Sequence, residues 1–328
     1  LSNTKTKKIK NMRWHTPILI KTRASDFKLN HTAPIVSIGS CFATNISMRL
    51  NDLLFRTEVN PTGICFNPIS IADTLHFVCE KKQFKNSDLF FENEIYHSWH
   101  HHSSFSGTDS EKVIEKINIA INSAHESLKH ASTLIITLGA AQIFILKKEK
   151  CVVNNCHKAP SALFDSEILS VEKILIYLSE AIQKVKAINP SIQIIITVSP
   201  VRHTKMGLIE NSQSKSQLII AAHNLCEAIK NVHYFPAYEI MIDDLRDYRF
   251  YTADLIHPTE QAIDYIFDIF QQTFFDEKTQ NIIEEIKKIK ALQAHRPQFE
   301  NIAAHQKLLK KIELEITKFQ IKYPEIGW

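Results

Sequence analysis

Two short stretches of this 328-residue chain carry side chains suited to nucleophilic chemistry. The first is Gly39-Ser40-Cys41. It follows the apolar run Ile35 to Ile38 and precedes Ile46, Leu50, Leu53 and Leu54 at helical spacing, so it reads as a turn from a strand into a helix. The first N–H groups of a helix have no partner within the helix, and a nucleophile set among them is presented beside oxyanion donors. The helix dipole would also favour a thiolate at Cys41. The same residues fit plain structural roles, with Cys41 a small buried side chain and Ser40 the N-cap. The second stretch is Asp254-Leu255-Ile256-His257. A carboxylate three residues before an imidazole can hold the ring tautomer while the other ring nitrogen takes a proton from a nucleophile. With 16 histidines in the chain such pairs also arise by chance, and a solvated histidine beside a helix-start acid is the alternative.

Further polar groups stand at places where ligands are held. Arg202 and His203 follow the apolar run Ile192 to Val198, at what would be the carboxyl end of a strand, and would grip an anionic or hydroxylated substrate there or form an ordinary capping or ion pair. His97, His100, His101 and His102 surround Trp99. Neighbouring loop histidines cannot all point one way, and no zinc-type Cys or carboxylate spacing accompanies them, so no metal site is assigned. A sugar ring against Trp99 fits that cluster better than a metal.

The elements that must position these groups alternate between short apolar strands and amphipathic helices, which predicts a mainly parallel sheet covered on both faces. Strands are expected at Ile35 to Ile38, Leu134 to Leu138, Ile192 to Val198 and around Tyr234. Helical spacing recurs over residues 111–129, 170–188 and 213–230, and Pro258 is expected as the first helical residue after the Asp254 loop. Residues 67–109 follow neither period for long and are read as an insertion. Residues 1–30 form an N-terminal extension, 31–275 the α/β domain, and 276–328 a tail of two helices broken at Pro297, packed on the core or joining copies into an oligomer.

Bulk properties narrow the class. With 44% hydrophobic residues the chain can bury one sizeable core. A net charge of +4, with small clusters at Lys5 to Arg13 and Lys287 to Lys290, does not point to nucleic acid or a membrane surface. Apolar runs are far shorter than the roughly 20 residues of a membrane helix. No apolar run of signal-peptide length precedes Lys21, and the six cysteines include no CxxC pair, so reduced thiols in a cytoplasm are expected.

Taken in order, Ile38-Gly39-Ser40-Cys41-Phe42-Ala43, Asn67-Pro68, Thr137-Leu138-Gly139, Asn155-Cys156-His157-Lys158, residues 197–203 and residues 254–258 resemble the blocks of the GSCFA family over most of the chain. The resemblance implies an SGNH (GDSL-like) hydrolase fold, a flavodoxin-like three-layer αβα arrangement whose members are mostly esterases, lipases and carbohydrate deacetylases. It implies Cys41 where that wider group has its nucleophilic serine, Ser40 at the aspartate position, and Asp254 and His257 as the base pair. It further implies an oxyanion donor at Gly63 and a third block at Gly139-Ala140-Ala141-Gln142, where the usual asparagine is missing. Asn67 and Gln142 are candidate replacements. The expected activity is ester hydrolysis or acyl transfer on a small ester or acylated carbohydrate, with no cofactor. A non-catalytic binding module on the same fold is the alternative.

Overall fold

The structure is a computed structural model that describes residues 27–294 and 303–328. Most of the N-terminal extension, with its lysine cluster, and the break at Pro297 lie outside the described residues.

Strand β1 (Ile35–Gly39) runs into helix α1 (Cys41–Asp52), which is followed by β2 (Thr57–Val59) and α2 (Pro68–Glu80). A hairpin of β3 (Phe90–Glu92) and β4 (Ile95–His97) leads to α3 (Ser110–His130) and β5 (Thr133–Leu138). Next come β6 (Gln142–Leu146), β7 (Cys151–Val153) and β8 (Phe164–Ile168), then α4 (Val171–Ile188), β9 (Gln193–Val198), α5 (Leu208–Ala228) and β10 (Val232–Phe235). The short α6 (Ala237–Glu239) passes into a π-helical turn, Ile240–Asp244, and α7 (Glu260–Phe274), α8 (Glu277–Gln293) and α9 (Ala303–Lys322) complete the chain.

Five strands form one parallel sheet in the order β10-β9-β5-β1-β2. Numbered along the chain this is 2-1-3-4-5, the flavodoxin-like order. Successive side chains of a strand point to opposite faces. In β1, β5 and β9 both sets are largely buried: Val36, Ile38, Leu134, Ile136, Ile194 and Ile196 join a core beneath α2, α3, α4 and α5. Ile35, Ile135 and Ile195 join a second core beneath α1 and α7. Both faces therefore need a helical layer, and the αβα architecture follows from the continuous apolar runs.

Several expectations need correcting. Helix α7 starts at Glu260 with Thr259 as its N-cap, whose Oγ1 accepts from the Ala262 amide at 3.3 Å. Pro258 instead lies outside the helix and bridges Tyr251. The segment 67–109 opens with α2, whose Ile71, Ala72, Leu75 and Val78 belong to the main core, so this part is a member of the helical layer; the hairpin and the turns after it stand further out. Strands β6, β7 and β8 form a separate antiparallel sheet that periodicity did not reveal, because β8, Phe-Asp-Ser-Glu-Ile, is largely polar and exposed.

Candidate active site

Gly39 has φ +143, and a Cβ there would overlap the carbonyl of Thr137 on the neighbouring strand. Only glycine lets β1 pass this close to β5 and bend into α1. The bend is tied on three sides. The Ser40 amide donates to Thr137 O at 3.1 Å, the Gly39 amide to Asn60 Oδ1 at 2.8 Å, and Asn60 Nδ2 to Thr44 Oγ1 at 3.4 Å.

Ser40 is fully buried and is the N-cap of α1, its Oγ accepting from the Phe42 amide at 3.3 Å. Cys41, the next residue, is half-buried. Burial raises its thiol pKa, while the backbone N–H groups at the start of α1, and then the nearby charge of Lys215, act to lower it. The resting sulfur is a thiol, which needs a base before it attacks.

Asp254 and His257 meet side chain to side chain. His257 Nδ1 lies 2.7 Å from Asp254 Oδ2, so the Nδ1–H donates to the carboxylate and Nε2 is left to accept a proton. Asp254 is itself held by Thr252 Oγ1 at 2.6 Å and by the amides of Ile256 and His257 at 2.8 and 3.1 Å. The Thr252 hydroxyl, the His257 ring and these amides keep its carboxyl far below the usual carboxylate range. Leu255 takes φ +55 so that the loop can fold back over its own carboxylate.

This loop is fastened to the sheet. The Arg202 amide, just beyond β9, donates to Ile256 O at 3.1 Å. One strand, β5, separates β9 from β1, a lateral distance of about 10 Å. The charges of Lys215 and His257 both oppose protonation of His203, and Lys215 in turn is influenced by the charge of Cys41, which links these groups stepwise along the carboxyl edge. The His203 amide donates to Asn211 Oδ1 at 2.8 Å, and its ring packs edge-on to Phe66. Burial, and then Lys215 and His257, push its pKa down to about 4.

Gly63, Asn67 and Gly139 have their polar groups engaged within the protein. Gly63, at φ +94, donates its amide to Asn60 O at 2.8 Å, and His102 packs where a side chain would stand. Asn67 caps α2, its Oδ1 accepting from the Ser70 amide at 2.8 Å and its Nδ2 donating to Ser70 Oγ at 2.9 Å. The Gly139 and Ala140 amides both donate to Phe66 O, at 2.8 and 3.0 Å. Gln142 opens β6, in register with Ile168 of β8. Trp99 has one ring face covered by Phe90, stacked at 3.6 Å, which removes that face as a sugar platform. His101 and His157 both engage Ser98, through its hydroxyl at 2.9 Å and its carbonyl at 2.9 Å, so these imidazoles knit the hairpin to the loop after β7.

Sequence reasoning missed one face of α5. Asn211 receives the His203 amide, Ser214 Oγ receives the Ala141 amide at 2.7 Å, and Lys215 Nζ donates to Gly139 O and Ser199 O, each at 2.7 Å. The signal was present: these three polar residues continue, at helical spacing, the apolar stripe Leu218, Ala221, Ala222 and Leu225. A lysine in line with a buried stripe must find partners inside the protein.

The chain is an α/β protein with a five-stranded parallel sheet between helical layers, and the candidate residues Cys41, Asp254 and His257 stand in the segments that follow β1 and that are fastened beyond β9. The chain belongs to the GSCFA family, which it matches over residues 34–270. None of the curated proteins matches it. Among solved structures it is similar to an acetyl esterase mutant with an acetate ion, at 8% identity and a TM-score of 0.35, covering 78% of this chain and 99% of that one. It is also similar to a family 3 carbohydrate esterase of Clostridium thermocellum, at 12% identity and a TM-score of 0.34, covering 77% and 97%. Among the described residues no helix is long and apolar enough to cross a membrane.

Proposed function

We propose that this protein is an SGNH-like hydrolase or acyltransferase that takes acyl groups from esters, of a small molecule or a carbohydrate, through Cys41. The observation that carries the reading is the arrangement at the sheet edge. A half-buried thiol opens α1 beside the helix's first N–H groups, and an oriented Asp254–His257 pair is tied to the strand end next but one. Ser40 supports Cys41 as the attacking residue, since its own oxygen is buried and occupied as a helix cap.

In this mechanism His257 Nε2 takes the thiol proton as Sγ bonds to the ester carbonyl carbon, and the carbonyl π pair moves onto oxygen. Collapse of that intermediate breaks the carbon–oxygen bond, and the protonated His257 returns its proton to the leaving alkoxide. A thioester remains on Cys41. Water or an acceptor hydroxyl, deprotonated by the same imidazole, then releases the acyl group. Arg202 and His203 stand beside this pair to receive an anionic or hydroxylated part of the substrate.

The test is a panel of acyl esters and thioesters, with intact-protein mass spectrometry during turnover. Wild type is expected to gain one acyl group on Cys41, and Cys41→Ala and His257→Ala each to lower turnover by at least a hundredfold. Undiminished turnover in both variants overturns the reading. The engaged amides of Gly63 and Gly139 favour a second reading, a binding module without efficient turnover. That reading requires ligand affinity with no adduct at any time.

A further inference from the structure

Lys215 is the only lysine or arginine among the described residues that is fully buried. A lysine ammonium is costly to bury, and it is retained in an interior when opposite charge or several acceptors compensate it. Its Nζ donates to two neutral carbonyls, Gly139 O at the end of β5 and Ser199 O at the end of β9. The titratable groups around it are Cys41 of α1, His203 after β9 and Tyr238 of α6, whose ring centre is 5.4 Å from Nζ. None of these is a carboxylate. The ammonium thus stands between two strand ends with acceptors but no permanent counter-ion.

The location is as informative as the burial. Gly139 opens the segment Gly139-Ala140-Ala141-Gln142, which has no asparagine to offer an oxyanion, and whose first two amides are both turned to Phe66 O. Lys215 reaches that same strand end from the opposite element and still has a third N–H. The group whose charge couples to it is the sulfur at the mouth of α1.

We propose that Lys215 supplies the positive charge that the third block lacks, stabilising the negative charge that develops at Cys41 during attack, first on sulfur and then on the carbonyl oxygen. This rests on Cys41 being the attacking residue. Lys215 acts as the ammonium and transfers no proton; the thiol proton goes to His257. The two carbonyl bonds fix the ammonium before the reaction, so little reorganisation is needed when the anion forms. Burial, opposed by the charge of Cys41, lowers the lysine pKa to about 7, so the ammonium is populated at and below neutral pH.

The experiment follows the rate of Cys41 alkylation by iodoacetamide from pH 5.5 to 10, read on the Cys41 peptide by mass spectrometry, and requires no ester turnover. Lys215→Met is expected to slow alkylation about tenfold at pH 6.5, where the lysine is charged, and to close the gap to wild type as pH rises past the lysine pKa. Lys215→Arg, which keeps the charge, is expected to restore most of the rate. A folded Lys215→Met protein with the wild-type profile overturns the proposal. Cys41→Asp and Cys41→Asn provide a measurement that retains the lysine. With a buried counter-ion beside it, the aspartate variant is expected to melt at or above the asparagine variant at pH 8, and melting several degrees below it overturns the proposal. Absence of any acyl adduct in wild type would sink the esterase reading alone, leaving these two outcomes intact.

Discussion

Ser40 and Cys41 are adjacent, and their environments divide the work between them. The Ser40 hydroxyl accepts the Phe42 amide in a site closed to solvent, while the Cys41 sulfur is half open. Replacing an N-cap serine by alanine typically costs about 1 kcal/mol. Ser40→Ala is therefore expected to lower the unfolding free energy read from denaturant titration by that amount while Cys41 alkylation persists; loss of Cys41 reactivity in a folded Ser40→Ala protein would give Ser40 a larger part. The candidates Cys41, Asp254 and His257 were legible from residue type and spacing. Lys215, Asn211 and Ser214 were not, because on a helix their significance depends on which loops the buried face meets.

At the scale of elements, the bend between β1 and α1 is the feature on which the site depends. Gly39 sits at φ +143 with the Thr137 carbonyl where a side chain would be. A non-glycine residue in such a backbone region costs about 1–3 kcal/mol before any clash is counted. Gly39→Ala is expected to destabilise the protein by about 3 kcal/mol or more and to separate β1 from β5 at their carboxyl ends. A melting temperature within a degree or two of wild type would show that the bend tolerates a side chain. The strands β1, β5 and β9 could be read from their apolar runs, as could α3 and α4 from their helical stripes. The antiparallel sheet of β6, β7 and β8 could not, since its edge strands are a three-residue β7 and a largely polar β8, which carry little periodic signal and form through their pairing with β6.

For the whole molecule, the tail and the histidines connect the site to overall stability. Helix α8 docks on the domain: Ile283 enters the core beneath α1 and α7, and Thr279 Oγ1 donates to Leu29 O at 3.2 Å. Ile282, Ile286 and Ile289 pack with Phe319 of α9 and Ile326. The tail therefore buries its main stripe internally. Burial lowers the pKa of His100 and His203 to about 4 and of His101 to about 3. Because these rings stay neutral in the fold while an unfolded histidine takes a proton near pH 6.5, their contribution is full above that pH and is lost as pH falls toward 3 to 4. For His101 alone the loss is about 2 kcal/mol at pH 5. Denaturant midpoints are expected to decline steadily from pH 7 to pH 5, and a His100→Gln/His101→Gln double variant to flatten that decline. Identical slopes in the two proteins would refute the assignment.

From the sequence alone came the alternation of strands and helices, the turn at Gly39 to Cys41 and the Asp254–His257 pair, because each is a local pattern set by backbone periodicity or by contacts within a few residues. Tertiary structure decided the rest. It turned Ser40 inward and left Cys41 half open, engaged the amides of Gly63 and Gly139 in turns and strand ends, and brought Lys215, 76 residues from Gly139, to that residue's carbonyl. Such roles depend on which groups meet across the sheet edge, and those distances are set only when the helical layers close over both faces.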